Sequence, residues 1–340
     1  MKTLRAGMVG AGPVTQAIHL PTIARLGGRV RVDVVMDPDS DLAEAVAAPL
    51  EARAVTSLDA LVQVPLDIAV IGSPNAFHVG QLEALCSAGV RAVLMEKPLA
   101  VTRQECAQVL TAIRASGTIL VVGAMHSYDP AWLAALEALN ELRLDGPFHI
   151  RSSIYIPNNP RFEDMASLIT RPEPRPGTSQ SPADMLRGAV LGLTIHNLPH
   201  IRHFVPSLET VIYAKPVSPY GYSMTATGCG STIELLARCG GTWQPDWTLT
   251  VMGADFTLDL SFPPSYVHGG SARSRVTTAD GSVRCWGPFA ANGYEAEWRE
   301  LIALLDGEKP PRYSLETLLD DIGYAITLAD LAAAAQEERS

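Results

Sequence analysis

Over the first 125 residues, short apolar runs alternate with stretches of helical periodicity. Leu4–Val9, Arg31–Met36, Ile68–Ile71, Ala92–Met95 and Ile119–Val122 read as strands. Val14–Leu26, Ser40–Leu50, Phe77–Ala88 and Arg103–Ser116 read as helices. Strands alternating with helices predict a parallel sheet covered on both faces. Right-handed crossovers make it a doubly wound domain.

Near residue 125 the rhythm changes. Pro130–Leu144 reads as a helix and Phe148–Ile156 as a strand, followed by a proline-rich irregular segment over 157–182. Loops of that length are often lids or binding segments. A helical stretch over His196–Phe204 precedes Thr210–Ala214, Ser231–Cys239, Trp247–Met252, Phe256–Phe262 and Ser282–Cys285, which are β-rich with no helix between them. Such grouping predicts an antiparallel or mixed sheet in an α+β domain. Tyr294–Leu305 and Leu315–Glu337 read as closing helices. The expected fold class is α/β, with a Rossmann domain over 1–125 and a second, α+β domain over 126–340.

Composition narrows the function. Hydrophobic residues make up 47% of the 340 and charged residues 18%, enough apolar material for sizeable cores. The formal charge of −10 disfavours general nucleic-acid binding. No apolar run suits a membrane span, and the N-terminus carries no signal-peptide pattern. Five scattered cysteines without a Cys-x-x-Cys pair read as reduced thiols, so a cytoplasmic protein is expected.

Val9-Gly10-Ala11-Gly12-Pro13-Val14-Thr15 stands between a predicted strand and a predicted helix. Gly10 suits the tight turn, and Gly12 lets the backbone approach a pyrophosphate. The helix start supplies unpaired N–H groups to phosphate oxygens. Thr15 holds the third fingerprint position, where Gly or Ala is usual. Asp37 ends the second predicted strand. Its carboxylate can accept from the adenine ribose hydroxyls and repels a 2′-phosphate, and Asp37-Pro38-Asp39-Ser40-Asp41 offers no cation to offset that. The expected cofactor is NAD. The alternative for Asp37 is a turn or cap carboxylate.

Further motifs follow in order: His19-Leu20-Pro21, Ser73-Pro74-Asn75 with His78, and Met95-Glu96-Lys97-Pro98-Leu99. With Gly10 and Gly12, these make the chain resemble the glucose–fructose oxidoreductase / inositol dehydrogenase (Gfo/Idh/MocA) family, strongly over 1–128. The resemblance implies a second domain with a large open, mostly antiparallel sheet that joins subunits into a homodimer or homotetramer. It implies redox chemistry on a secondary alcohol or ketone of a sugar, cyclitol or related polyol. Lys97, at a strand end and set in extended backbone by Pro98, can hydrogen-bond the substrate hydroxyl as hydride leaves. Glu96 is expected near the nicotinamide, and Pro13, Val14, Ser73, Pro74, Asn75 and His78 along the cofactor crevice. Asn75 could equally cap the following helix.

Family members usually carry Asp-x-Gly-x-His, in which the His is the general base. Here His196 matches, but Gly192 takes the Asp position and Thr194 the Gly position. Asp184 is one candidate to orient His196. His126, Tyr155 and His200 are the other expected substrate contacts, with Tyr128, Asn158, Arg161, Arg171, Arg175 and Arg187 nearby in sequence. His196, His200 and His203 share a helical face, yet no acid or Cys sits at matching spacing, so no metal is expected. Gly192 also leaves two alternatives open: a non-catalytic dinucleotide or sugar sensor, and an oxidoreductase of a non-sugar substrate such as a dihydrodiol.

Overall fold

The computed structural model describes residues 2–142, 144–157, 181–241, 243–264 and 270–338. Asn158, Arg161, Arg171 and Arg175 lie outside the described residues. Two compact units are present. The first contains six strands: β1 (Leu4–Val9), β2 (Val30–Met36), β3 (Arg53–Val55), β4 (Ile68–Ile71), β5 (Ala92–Glu96) and β6 (Ile119–Gly123). All neighbours are parallel, in the order β3-β2-β1-β4-β5-β6. That is the doubly wound order, and its switch point lies between β1 and β4. Ile68–Ile71 and Ala92–Glu96 are buried at every position, as expected for strands covered on both faces.

Helices α1 (Leu20–Ala24), α2 (Ser40–Ala47), α3 (Leu58–Leu61), α4 (His78–Ser87) and α5 (Arg103–Ser116) connect these strands. The chain is helical from Pro13, but Thr15–His19 forms a wide π-turn before α1. Helix α5 starts with a full capping box, in which Thr102 and Glu105 each satisfy the other's backbone N–H. β3 and α3 were not expected from the periodicity, since three and four residues are too few to register a period.

The second unit is built on eight strands: β7 (His149–Ile156), β8 (Thr210–Pro216), β9 (Tyr220–Gly228), β10 (Ser231–Cys239), β11 (Asp246–Met252), β12 (Phe256–Ser261), β13 (Arg273–Thr278) and β14 (Val283–Trp286). Their order is β14-β13-β12-β11-β7-β10-β9-β8. β7 and β10 are parallel and all other neighbours antiparallel. The central strands β7, β10, β11 and β12 alternate between buried and more exposed positions. Ile150, Ile154, Ile233, Leu235, Trp247, Leu249 and Leu258 are buried. The intervening positions carry polar ladders such as Arg151–Glu234 at 2.8 Å and Thr250–Asp259 at 3.0 Å.

Helices α6 (Pro130–Leu139), α7 (Pro182–Gly192) and α8 (Leu198–Phe204) belong to this unit. α6 ends five residues before the expected Leu144. α8 starts at Leu198 because Pro199 fits only a first turn, and a 3₁₀ turn over Thr194–His196 precedes it. α7 was hidden by the prolines around it, although Ser181 caps it and Pro182 opens it, as start signals prescribe. The last helices are α9 (Gly293–Leu305) and α10 (Leu315–Glu337). Among the described residues no helix is long and apolar enough to cross a membrane.

Candidate active site

The glycine-rich turn lies at the switch point. Gly10 has φ +99°, and a Cβ there would lie 3.0 Å from the backbone of Gly72 and Ser73, which follow β4. Only glycine combines that backbone with that approach. At Gly12 a Cβ would meet nothing within 4 Å, so the turn leaves open space where a pyrophosphate would lie. Thr15 fits the third position because Gly72 faces it. The Thr15 hydroxyl donates to the Gly10 carbonyl at 2.6 Å, and a Cβ at Gly72 would lie 3.1 Å from it.

Asp37, just past β2, accepts from the Ala11 N–H at 3.0 Å and the Asp39 N–H at 3.0 Å. Both bonds anchor the carboxylate at the turn and leave lone pairs on each oxygen for further donors. Pro13, Pro74 and Asn75 are exposed, while His78 is buried. His78 is a clasp between loops: Nε2 lies 2.8 Å from the Ser73 carbonyl oxygen and Nδ1 3.1 Å from that of Pro98. Ser73 donates to Gln81 at 2.6 Å. No side chain of Asn75 caps α4.

Glu96 ends β5 with its carboxylate turned into the protein. A Cβ at Gly123 would lie 2.9 Å from it, so the acid occupies space left by that glycine. One Glu96 oxygen accepts the Lys97 N–H at 3.2 Å, and the other lies 3.2 Å from His19 Nε2. Lys97 is half-buried and its peptide to Pro98 is cis. Burial lowers the Lys97 pKa from the ordinary lysine value, against the Glu96 carboxylate, which raises it.

In the second unit, His196 sits in the 3₁₀ turn with its ring 5.0 Å from Trp247 and 5.5 Å from His126. His126 stacks on Phe262 at 3.8 Å, and its Nδ1 lies 3.2 Å from Asn197 Oδ1. Asn197 also accepts the Trp247 indole N–H at 3.2 Å and donates to Ser152 at 2.9 Å. His200 is fully enclosed, its Nε2 3.2 Å from the His126 carbonyl oxygen. Burial brings both His126 and His200 down to about 3, so these rings are neutral at pH 7. His200 therefore does not open on a crevice, as the sequence led us to expect; it supports His126 from behind.

Two other expectations are corrected. Tyr155 shares the face of β7 with Arg151 and Ser153, opposite to Ser152, which the His196–Asn197 cluster touches. Asp184 lies in the first turn of α7, exposed and bonded to Ser181 at 2.7 Å, whereas Gly192 ends that helix. It cannot be the missing orienting acid at Gly192. A Cβ at Gly192 would instead lie 3.5 Å from the Tyr220 hydroxyl, and Thr194 hydrogen-bonds Tyr222. Asn197 and Phe262 were overlooked as parts of the site; Asn197 follows His196 directly and could have been found. Among the described residues no group of three or more His, Cys, Asp or Glu is arranged to hold a metal.

A family model described as an oxidoreductase family with an NAD-binding Rossmann fold matches residues 4–124. The 1-carboxy-3-chloro-3,4-dihydroxycyclohexa-1,5-diene dehydrogenase of Comamonas testosteroni is 31% identical over 154 residues, 45% of this chain and 38% of that protein. Inositol 2-dehydrogenase 2 of Paenarthrobacter aurescens is 34% identical over 142 residues, 40% of this chain and 42% of its own length. The matches thus span less than half of either relative. A solved 3-ketoreductase, KijD10 of Actinomadura kijaniata, in complex with TDP-benzene and NADP, has a TM-score of 0.72 at 18% identity. It covers 95% of this chain and 96% of its own, a likeness of fold. Residues 4–124, with the turn at Gly10 and Gly12 and the Glu96-Lys97-Pro98 segment at a strand end, thus match the NAD-binding Rossmann domain of the Gfo/Idh/MocA oxidoreductase family.

Proposed function

We propose that the protein is an NAD-dependent oxidoreductase acting on a secondary alcohol or ketone of a sugar, cyclitol or related polyol. The observation that carries this reading is Lys97 at the end of β5, in the sheet whose β1 ends in the open Gly10–Gly12 turn. The turn fits a dinucleotide: Gly10 is demanded by the backbone, Gly12 leaves room for phosphate, and Asp37 is anchored beside both. Asp37 supports NAD over NADP, because a carboxylate repels a 2′-phosphate. When bound, NAD accepts or returns the hydride.

The chain's own groups do the rest. The Lys97 ammonium hydrogen-bonds the substrate hydroxyl and stabilises its alkoxide character. Glu96 counters the burial that would strip Lys97 of its proton. His196 takes the hydroxyl proton, and the neutral rings of His126 and His200 leave it free of cationic neighbours from that cluster. The Tyr220 hydroxyl lies 3.5 Å from where a Cβ at Gly192 would stand, and Trp247 and His126 pack against the His196 ring and help to hold it.

The test is a survey of inositols, sugars and keto-sugars with purified protein, following the NADH absorbance band. Turnover that drops at least a hundredfold in Lys97→Ala supports the reading; turnover unaltered in that variant refutes it. A second reading, oxidation of a cyclic diol, draws support from the diol named for the Comamonas relative and from the aromatic packing of Trp247 and Phe262 on His126. Preference for a dihydrodiol over any inositol in the same survey would select it.

A further inference from the structure

Glu297, on α9, takes no part in the chemistry above. It is 0% exposed, and among the described residues neither carboxylate oxygen has a hydrogen-bond partner. Its neighbour Trp298 donates its indole N–H to His19 Nδ1 at 3.3 Å. A neutral His19 ring that accepts at Nδ1 carries its proton on Nε2. That nitrogen lies 3.2 Å from Glu96, although not in line for a hydrogen bond. Among the described residues the charged group that acts on Glu297 is Glu96 from β5, and His19, from the π-turn before α1, stands between Trp298 and Glu96. On α9 itself Glu300 is engaged elsewhere, by the Lys309 ammonium and the Arg312 N–H at 2.8 Å.

Two carboxylates in one dry interior cannot both ionise cheaply. The proton settles on the acid with the poorer set of donors. Glu96 has the Lys97 N–H and the approach of His19; Glu297 has neither. We propose that Glu297 is a positioning residue for the Glu96–Lys97 pair: a neutral acid that holds the one proton of two carboxyls and confines a single negative charge to Glu96. Burial and the Glu96 charge both push the Glu297 carboxyl well above the usual carboxylate range. Lys97 then faces one fixed anion whose position the Gly123 notch sets. The consequence for catalysis rests on the role proposed for Lys97. The acid pair does not.

The test uses the full chain and its Glu297→Gln variant, which keeps shape and neutrality. A carboxyl protonated only in the folded state loses its advantage as pH rises past the unfolded value of about 4.5. The unfolding constant of the native protein relative to the variant should therefore rise about tenfold per pH unit (about 1.4 kcal/mol per unit) until Glu297 ionises in the fold. Infrared spectra at pH 7 should show a protonated-acid C=O stretch that the variant lacks. A ratio independent of pH, with no acid band lost, overturns the proposal. Should the glutamine variant not fold, Glu96→Gln carries the test. With the neighbouring charge gone, its acid band must vanish at lower pH than in the native protein, and an unmoved midpoint overturns the proposal. Both readouts are taken on the protein alone, so failure of the polyol survey leaves them standing.

Discussion

Acid should unfold the second unit through His126 and His200. Both rings are buried and neutral, held near 3 against an ordinary value of 6.5. Unfolding returns them to water, where they take up protons as pH falls below 6.5. Stability is thus complete above 6.5 and is lost progressively as pH falls toward 3. At pH 5 an unfolded histidine is 1.5 pH units below its midpoint, which costs the fold roughly 2 kcal/mol per ring, or about 4 kcal/mol for the pair. A domain holds only about 5–15 kcal/mol in total. His200→Gln removes one titrating ring and keeps a hydrogen-bonding group near the His126 carbonyl. Urea unfolding should show a loss of about 4 kcal/mol between pH 7 and pH 5 from these two rings, steepening toward about 2.7 kcal/mol per pH unit at the acid end, and about half of that change in the variant. Buried carboxyls such as Asp129 and Asp321, pushed up by burial, act in the opposite sense but cancel in the comparison. Equal slopes in the two proteins would refute the reasoning.

Three further outcomes follow from the first unit. Gly10→Ala must cost about 1–2 kcal/mol from its left-handed backbone alone, whereas Gly12→Ala should leave the melting temperature within a degree or two and weaken NADH binding at least tenfold by fluorescence titration. Asp37→Asn keeps the shape of the turn and removes the charge. The NADPH-to-NADH affinity ratio should rise about tenfold, or about 1.4 kcal/mol, and an unchanged ratio would sink the cofactor assignment. Gly123→Ala drives a methyl group into the Glu96 carboxylate, so Lys97 loses its anion and should titrate at lower pH, read from the pH dependence of amine modification.

The Rossmann unit was legible because its central strands β4 and β5 are buried at every position and almost wholly apolar, and full burial writes itself into composition. The second sheet was legible only in part. β9 and β13 carry Ser, Thr, Gly and Arg on their open face, so each reads as a polar stretch unless its register with a buried partner is known. Motifs located Gly10, Asp37 and Lys97, because glycine conformation and strand ends are local properties. They could not give directions. Glu96 turns inward because Gly123, on a different strand, makes room for it. Tyr155 faces away from His196 because β7 pairs with β10 in a register that no local pattern specifies. The enclosure of His200 and Glu297 depends likewise on chain far away in sequence.

The place of β7 has a consequence for how the chain acquires its fold. It is the earliest strand of its sheet to be synthesised and yet lies at the centre, with β10 on one side and β11 on the other. His149 finds its neighbours only at Thr232 and Met252. During synthesis both edges of this strand stay bare while a long stretch of chain is added, and closing that loop adds an entropic barrier. An exposed apolar strand in waiting is prone to pair with other chains. The alternate polar positions on β7, Arg151 and Ser153 among them, keep one face of it wettable through that interval.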